Sequence, residues 1–419
     1  MQSLNKLSIC VLMTQFGKTF QCTERIIQEL LSDADRSLHI VFTMNTLLNN
    51  RQFSTRMKQI KTAVPNEPNS IMTLSSQKLQ YTSHANDIHG IWSACMPMDK
   101  TAEPPRVLVM CGNPTRFRDG VQLIRAINDH RDSCKIKRVC VYYDEIHSYI
   151  NAPEMRKQIE EIHSYEVTDF ILGLTATPNN IFTSKGPWSS LNVYRIPTFN
   201  DENYFGFRDM CFVKTDDYFP EDYRPPAFRD FGERDRQTFG FIQHILEANP
   251  SILDDGTYNF IPASYIKSGH GRVRDYIFSK NEKAVVIVLN GEEKSLQFNK
   301  DGNTLTIPLI SDTLEVKDTI SEILVEHELL DRSINVTGHL CIGMGQTLTS
   351  EITGSFTSAI IGHLDLKNDE IYQLFGRITG RTKHWDKYRQ TKVFCPSKIY
   401  KIVDTMEDCS RNMAVNHGG

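Results

Sequence analysis

A chain of 419 residues is long enough for two or three domains with sizeable cores. Its apolar fraction of 40% and charged fraction of 23% are ordinary for a globular protein and exclude a disordered or fibrous chain. A net charge of −4 excludes a polycationic nucleic-acid binder, so any polynucleotide contact must come from local patches.

In chain order, LSICVLM is the first predicted strand, followed by a helix over FQCTERIIQELL with Ile26, Ile27, Leu30 and Leu31 on one face. LHIVFTM at Leu38–Met44 is the second strand and NRQFSTRMKQIKTAV the next helix. SIMTLSS, RVLVMC, RVCVYY and DFILGLTAT are further strands, with the helical RDGVQLIRAINDH after RVLVMC. Near-continuous apolar strands separated by amphipathic helices predict a parallel sheet covered on both faces. Residues 179–235 are rich in Pro, Asp, Arg and aromatics without clean periodicity, and read as a connection or elaborated loop. A second alternating set follows, with YNFIPAS, KAVVIVLNGEE, NTLTIPLI, SINVTGHLCI and FTSAIIGHL as strands and TLEVKDTISEILVEHELL as a helix. The expected organisation is a first domain at 1–180, a connection at 181–235, a second domain at 236–395 and a polar tail at 396–419.

Ten cysteines are scattered with no C-x-x-C pair and no His/Cys ladder, which argues against a zinc ribbon or disulfide scaffold and fits a reducing compartment. No signal peptide is expected, because Asn5 and Lys6 lead directly into a strand-like run. The longest apolar runs, such as AVVIVL at Ala284–Leu289, are too short to span a bilayer, so an intracellular protein without a membrane partner is expected.

Two stretches carry chemistry. Directly after the first strand, Gly17-Lys18-Thr19 opens a helix and forms the core of a phosphate-binding loop. Backbone N–H groups there face phosphate, the lysine reaches the β- and γ-phosphates, and the threonine hydroxyl meets Mg²⁺. Leu12 stands where the full pattern has glycine, and Phe16 where a small residue is usual. A helix N-terminus with a solvated lysine is the competing reading of the tripeptide alone. The second stretch is RVCVYYDEIHSYI, where a buried strand ends in Asp144, Glu145 and His147. An acidic cap on a strand-to-helix turn explains it in isolation. Beside a phosphate loop, Asp144 would enter the Mg²⁺ shell and Glu145 would polarise the attacking water, if the two strands lie adjacent in one sheet.

DEIH at 144–147 and LTATP at 174–178 resemble motifs II and III of superfamily 2 helicases and translocases of the DExH type. YQLFGRITGR at 372–381 resembles their motif VI, VTGHLCIGMGQTLTS at 336–350 motif V, VIVLNGE at 286–292 the strand of motif IV, and FTMNTLLNNRQF at 42–53 motif Ia. The order is that of the family, and the closest flavour is that of helicase-like proteins of large DNA viruses. The resemblance implies an α/β fold of two tandem RecA-like domains with ATP and Mg²⁺ between them and nucleic acid across both. Carried over, Gly17, Lys18 and Thr19 would hold phosphates and metal, Asp144 Mg²⁺, and Glu145 would act as base. His147 would couple that site to Thr175, Thr177 and Gln373. Arg377 would be the arginine finger, with Arg381 in reserve, since the usual spacing of the second arginine falls on Gly380. Gly345 and Thr347 would link nucleic acid to nucleotide.

Polynucleotide contact is expected from local basic clusters at 49–61, 113–119, 269–276 and 380–392, the last interleaving Trp385 and Tyr388 with cations. A solvated helix face is the alternative for each. Thr43, Asn45 and Arg116 lie just past predicted strand ends, where open α/β sheets bind ligands, and Thr175 and Thr177 join them on the nucleic-acid side. His270 is either a second-domain contact or an internally satisfied histidine. The reading is an ATP-dependent helicase or translocase on nucleic acid, DNA rather than RNA, with replication, transcription or repair proteins as partners and the cytoplasm or nucleus of a host cell as its place. The alternatives are a scaffold that has lost catalysis and a double-strand translocase that does not separate strands.

Overall fold

The computed structural model describes residues 7–15, 17–32, 36–43, 57, 60–61, 71–74, 83–85, 87–96, 103–150, 152–177, 192–194, 202–219, 222–227, 229–291, 293–309, 315–339 and 347–416. They fall into two units: one of residues 1–13, 17–198 and 409–419, the other of 14–16 and 199–408.

The first unit carries an eight-stranded sheet of β1 (Leu7–Val11), β2 (Ser37–Thr43), β3 (Ile71–Leu74), β4 (Ser83–Ala85), β5 (Val107–Cys111), β6 (Arg138–Tyr143), β7 (Thr168–Thr175) and β8 (Asn192–Tyr194). The order is β4-β3-β5-β2-β6-β7-β1-β8, with every pair parallel. Parallel neighbours need crossovers, and α1 (Lys18–Ser32), α2 (His89–Cys95), α3 (Pro114–Asp129), α4 (His147–Ile150) and α5 (Pro153–Ser164) lie between the strands. β1, β2 and β5 are buried at every position, so both faces of the sheet are covered. In α1 the buried stripe runs through Cys22, Ile26 and Leu30, one turn apart, while Leu31 is 68% exposed and leaves the face expected for it. Aromatic rings of the core stack closely, Phe42 on Phe117 at 4.4 Å and on Tyr143 at 5.1 Å between centroids.

The second unit has β9 (Tyr204–Phe205), β10 (Cys211–Lys214), β11 (Tyr258–Phe260), β12 (Val285–Leu289), β13 (Lys294–Lys300), β14 (Asn303–Pro308), β15 (Ile334–Gly338), β16 (Ser358–Ile360), β17 (Gly380–Arg381) and β18 (Lys392–Cys395). Its main sheet runs β10-β18-β16-β11-β15-β12-β13-β14, parallel except for β12-β13-β14. The helices are α6 (Phe231–Ala248), α7 (Lys267–Lys280), α8 (Val316–Glu326), α9 (Asn368–Phe375) and the part of α10 (Ser397–Asn416) up to Asp408, the rest of α10 being counted with the first unit. NTLTIPLI is thus not a crossover strand. It is the outer arm of a hairpin whose turn places Asp301 and Gly302 at φ 52° and 77°, the conformation two-residue hairpin loops require. Both units are the mostly parallel α/β architecture expected of tandem RecA-like domains. Short strands also form in the region without clean periodicity, β8 in the first sheet and β10 in the second, and the polar tail carries the 20-residue α10. Among the described residues the cysteines are free thiols, and no helix is long and apolar enough to cross a membrane.

One buried polar group sets an acid limit on the first unit. His39, fully buried on β2, meets Ser37 Oγ through Nε2 (2.9 Å) and the Tyr142 hydroxyl through Nδ1 (3.1 Å). Burial, and then the positive charges of Arg138, Arg106 and Arg25, lower its pKa to about 3. Below the unfolded value near 6.5 the unfolded chain takes up the proton and the folded one does not, so stability falls with falling pH. The slope from this group is roughly 1.4 kcal/mol per pH unit between about 6.5 and 3. Chemical denaturation at pH 7 and pH 5 is expected to show that loss, and His39→Gln to flatten it; equal pH dependence in the two proteins would refute the assignment.

Candidate active site

The chemistry-bearing residues of the first unit sit where three parallel strands end together. β7 lies between β1 and β6, with Val11 opposite Thr175 and Gly173 opposite Tyr143. The strand that leads to Gly17-Lys18-Thr19 and the strand of the two carboxylates are therefore not neighbours, so the condition of adjacent strands is not met. The LTAT strand separates them and puts its own threonines at the centre. This is the carboxyl edge at which open parallel sheets present ligand-binding loops.

On one side, Leu12 N–H donates to Thr175 O (3.0 Å) as β1 ends, and the chain turns through Gln15 at φ 56° to Gly17 at φ 96°. That φ favours glycine, and among the described residues a Cβ at Gly17 would lie 3.8 Å from Phe20 Cβ, an ordinary van der Waals contact. Lys18 begins the 15-residue α1, whose first turn holds no acidic residue and presents an N-terminus suited to an anion. On the other side, Asp144 N–H donates to Phe42 O (2.9 Å), and Glu145 follows at φ 51°, a left-handed conformation uncommon for a side chain of this kind. Ile146 N–H returns to Leu174 O (3.0 Å), tying the turn to β7. Strained backbone of this sort is held by its surroundings and gathers at functional sites.

These turns bring five predicted residues together. Lys18 Nζ lies 3.2 Å from Glu145 Oε1, with both side chains largely buried. His147 Nδ1 is 3.5 Å from Glu145 Oε2 and 2.9 Å from Thr175 Oγ1. Thr175 Oγ1 also accepts the Thr177 N–H at 3.0 Å. A continuous polar path thus runs from the lysine through the carboxylate and imidazole to the threonines. The Thr19 hydroxyl and Asp144 carboxylate are hard oxygen donors, the set that suits Mg²⁺ sharing its shell with water and phosphate. Beneath them Cys10, raised to about 12 by burial, and Cys22, raised well above its usual range by burial and then by Asp144, stay protonated and inert.

The remaining predicted residues fall elsewhere. Thr43 is fully buried, with its hydroxyl donating to Met110 O (3.3 Å). Arg116 stands in the first turn of α3, half-buried and paired with Asp119 at 2.8 Å, while Asn113 caps that helix by accepting the Arg116 N–H. Asn45 and Gly345 lie outside the described residues, as do most of 49–61 and Phe16. In the second unit, Gln373 (6% exposed) is on α9 and Arg377 (8% exposed) on the 3₁₀ turn Gly376–Ile378 just after it. Arg381 is exposed on β17, and Thr347 is half-buried ahead of β16. Of the two readings of His270, a second-domain contact or an internally satisfied histidine, its hydrogen bonds match the second. It is buried on α7, with Nε2 on Ser264 O (2.8 Å) and Nδ1 on the Asn290 amide (3.2 Å), so both ring nitrogens are used internally. Many basic-cluster side chains also have intramolecular partners, Arg272 with Asp235 and Lys383 with Asp209 among them.

No family model matches the sequence, and no curated protein matches it. Solved structures do align over nearly the whole chain. S. cerevisiae Dbp5 bound to RNA and ADP BeF3 aligns with 99% of this chain and 90% of its own at 10% identity and a TM-score of 0.48. The DEAD-box helicase Mss116 bound to ssRNA and UDP-BeF covers 97% and 70% at 12% identity and 0.48. A DEAD box protein from the hyperthermophile Methanococcus jannaschii covers 97% and 87% at 14% identity and 0.42. Identities this low bear on the fold alone, and at TM-scores below 0.5 the chemistry rests on the side chains of this chain.

Proposed function

We propose that the protein is an ATP- and Mg²⁺-dependent helicase or translocase of superfamily 2, of the DExH type, that moves on nucleic acid. The observation that carries this reading is the contact of Lys18 with Glu145 beside His147 and Thr175 at the carboxyl edge of β1, β7 and β6. A lysine at a helix N-terminus attracts phosphate, and the adjacent carboxylate is placed to orient water. Lys18 and Thr19 hold the triphosphate and its metal, Asp144 completes the metal shell, and Glu145 acts as base. Gln373, Arg377 and Arg381 contribute from the second unit, with Arg377 as the finger. DNA is the proposed polymer, carried by the viral flavour of the motifs, and backbone contacts dominate, so binding weakens steeply with salt. The buried free thiols support a reducing intracellular setting.

The test is Mg²⁺-dependent ATP hydrolysis by wild type and Lys18→Ala, each alone and with single-stranded DNA, duplex DNA or RNA. Hydrolysis stimulated by one polymer and reduced at least ~100-fold in the variant is the expected result. Stimulation by duplex alone, without strand separation, would favour the double-strand translocase. A folded wild type without hydrolysis under any condition would favour the scaffold, to which Leu12 in the phosphate loop points.

A further inference from the structure

The turn that carries Asp144 and Glu145 is fastened to two other strand ends by one side chain. Tyr149 lies on α4, four residues beyond Glu145, and is buried. Its N–H donates to Ile146 O (3.0 Å), and the Ser148 N–H to Glu145 O (2.9 Å), so the turn and the short helix are one hydrogen-bonded piece. The Tyr149 hydroxyl crosses to the end of β2 and donates to Thr43 O (2.8 Å). The same carbonyl accepts the Gly112 N–H (2.6 Å) from the end of β5. Thr43 O is thus a junction at which the carboxylate turn, β2 and β5 meet.

The fit at this junction is close. A Cβ at Gly112 would lie 2.3 Å from the Tyr149 hydroxyl oxygen and 2.5 Å from two ring carbons, so glycine at 112 is what admits the tyrosine. The ring itself is held by Phe117 (5.2 Å) and Tyr143 (6.1 Å), which fix it independently of the hydroxyl. Immediately beyond Gly112, Asn113 caps α3 on the Arg116 N–H, and Arg116 belongs to the basic stretch at 113–119. The hydroxyl remains a donor at all ordinary pH, since burial and the nearby Asp144 and Glu145 carboxylates hold its pKa well above the usual tyrosine value.

We propose that Tyr149 is a positioning residue: through Thr43 O it transmits the placement of the β2 and β5 ends to the Asp144–Glu145 turn, so that polynucleotide lying against those ends sets the carboxylates for hydrolysis. Tyr149 touches neither nucleotide nor polymer in this scheme. The inference rests on the proposed function, because it assumes that polymer at these strand ends stimulates turnover.

Tyr149→Phe removes the hydroxyl and keeps the ring, which separates coupling from packing. One neutral hydrogen bond sets the scale, so the ratio of polymer-stimulated to polymer-free hydrolysis is expected to fall roughly three- to tenfold. Polymer-free turnover and the KM for ATP should stay at the wild-type values. Gly112→Ala, which expels the ring from the junction, should lower the same ratio at least as far, and thermal melting of both variants reports whether they fold. A folded Tyr149→Phe with the wild-type stimulation ratio would overturn the coupling and leave the proposed function standing. An equal drop in stimulated and unstimulated rates would overturn it too, by making the hydroxyl a structural support. A wild type that hydrolyses ATP but responds to no polymer would overturn both the motor and the coupling.

Discussion

Glu145→Gln is expected to bind ATP as well as the wild type and to turn it over at least ~100-fold more slowly, the usual cost of losing a positioned base. The amide matches the carboxylate in size, so the left-handed turn at residue 145 and the Ile146–Leu174 backbone bond should persist. What changes is charge. The carboxylate that lies 3.2 Å from Lys18 and 3.5 Å from His147 can no longer accept a proton from water. Removing that charge also releases Lys18 from its partner, so nucleotide affinity is expected to hold or rise. Single-turnover hydrolysis and fluorescent-nucleotide titration check the two halves separately. A variant that hydrolyses at the parent rate would remove Glu145 from the role of base.

Arg377→Ala is expected to lower polymer-stimulated hydrolysis by about 10³-fold, the scale on which an arginine finger acts, while polynucleotide affinity stays within twofold. The side chain emerges from the 3₁₀ turn after α9 and is only 8% exposed, so its five donors are held in a restricted geometry. Arg377→Lys should recover little, because an ammonium lacks the planar fork. Arg381, exposed on a two-residue strand, is the comparison: Arg381→Ala should cost far less. If Arg381→Ala proves the more damaging of the two in steady-state assays, the finger belongs to residue 381.

Much of the fold could be read before any coordinates, for a physical reason. Strands such as Leu7–Val11 and Arg138–Tyr143 are apolar on both faces, and that continuity survives without knowledge of partners. The same local signals exposed Gly17, Lys18, Asp144, Glu145 and His147, because a strand end followed by unusual polar residues is visible in one dimension. Spatial order was not visible. That β7 intervenes between β1 and β6 depends on pairings between residues far apart in the chain. His270 stays open between two readings in the sequence because its partners, Ser264 O and the Asn290 side chain, meet it only once the second sheet is formed. The hairpin of β13 and β14 had a local cue in Asp301-Gly302, but the surrounding rhythm of strands and helices drew NTLTIPLI into the wrong kind of connection. In α10, Ile399, Val403 and Met406 are buried at helical spacing within a tail that reads as polar and mixed. Tyr149 offered no cue at all, since Thr43 and Gly112 are remote in sequence.

The position of β1 has a consequence for how the chain is made. Its two neighbours in the sheet are β7 and β8, so Leu7 waits for Ile171 and Ser8 for Leu172 before either finds a backbone partner, and the β8 side closes later still, Ser8 against Asn192. During synthesis β1 therefore stays unpaired until the chain has grown past Thr175, and closing so long a loop is the slow, entropically costly part of assembling a parallel sheet. Until then β2, β5 and β6 can pair among themselves, while β1 remains an unsatisfied apolar segment open to chaperones or to misassembly. On the proposed reading, the loop that would grip phosphate takes its final setting only once β1 has docked on β7.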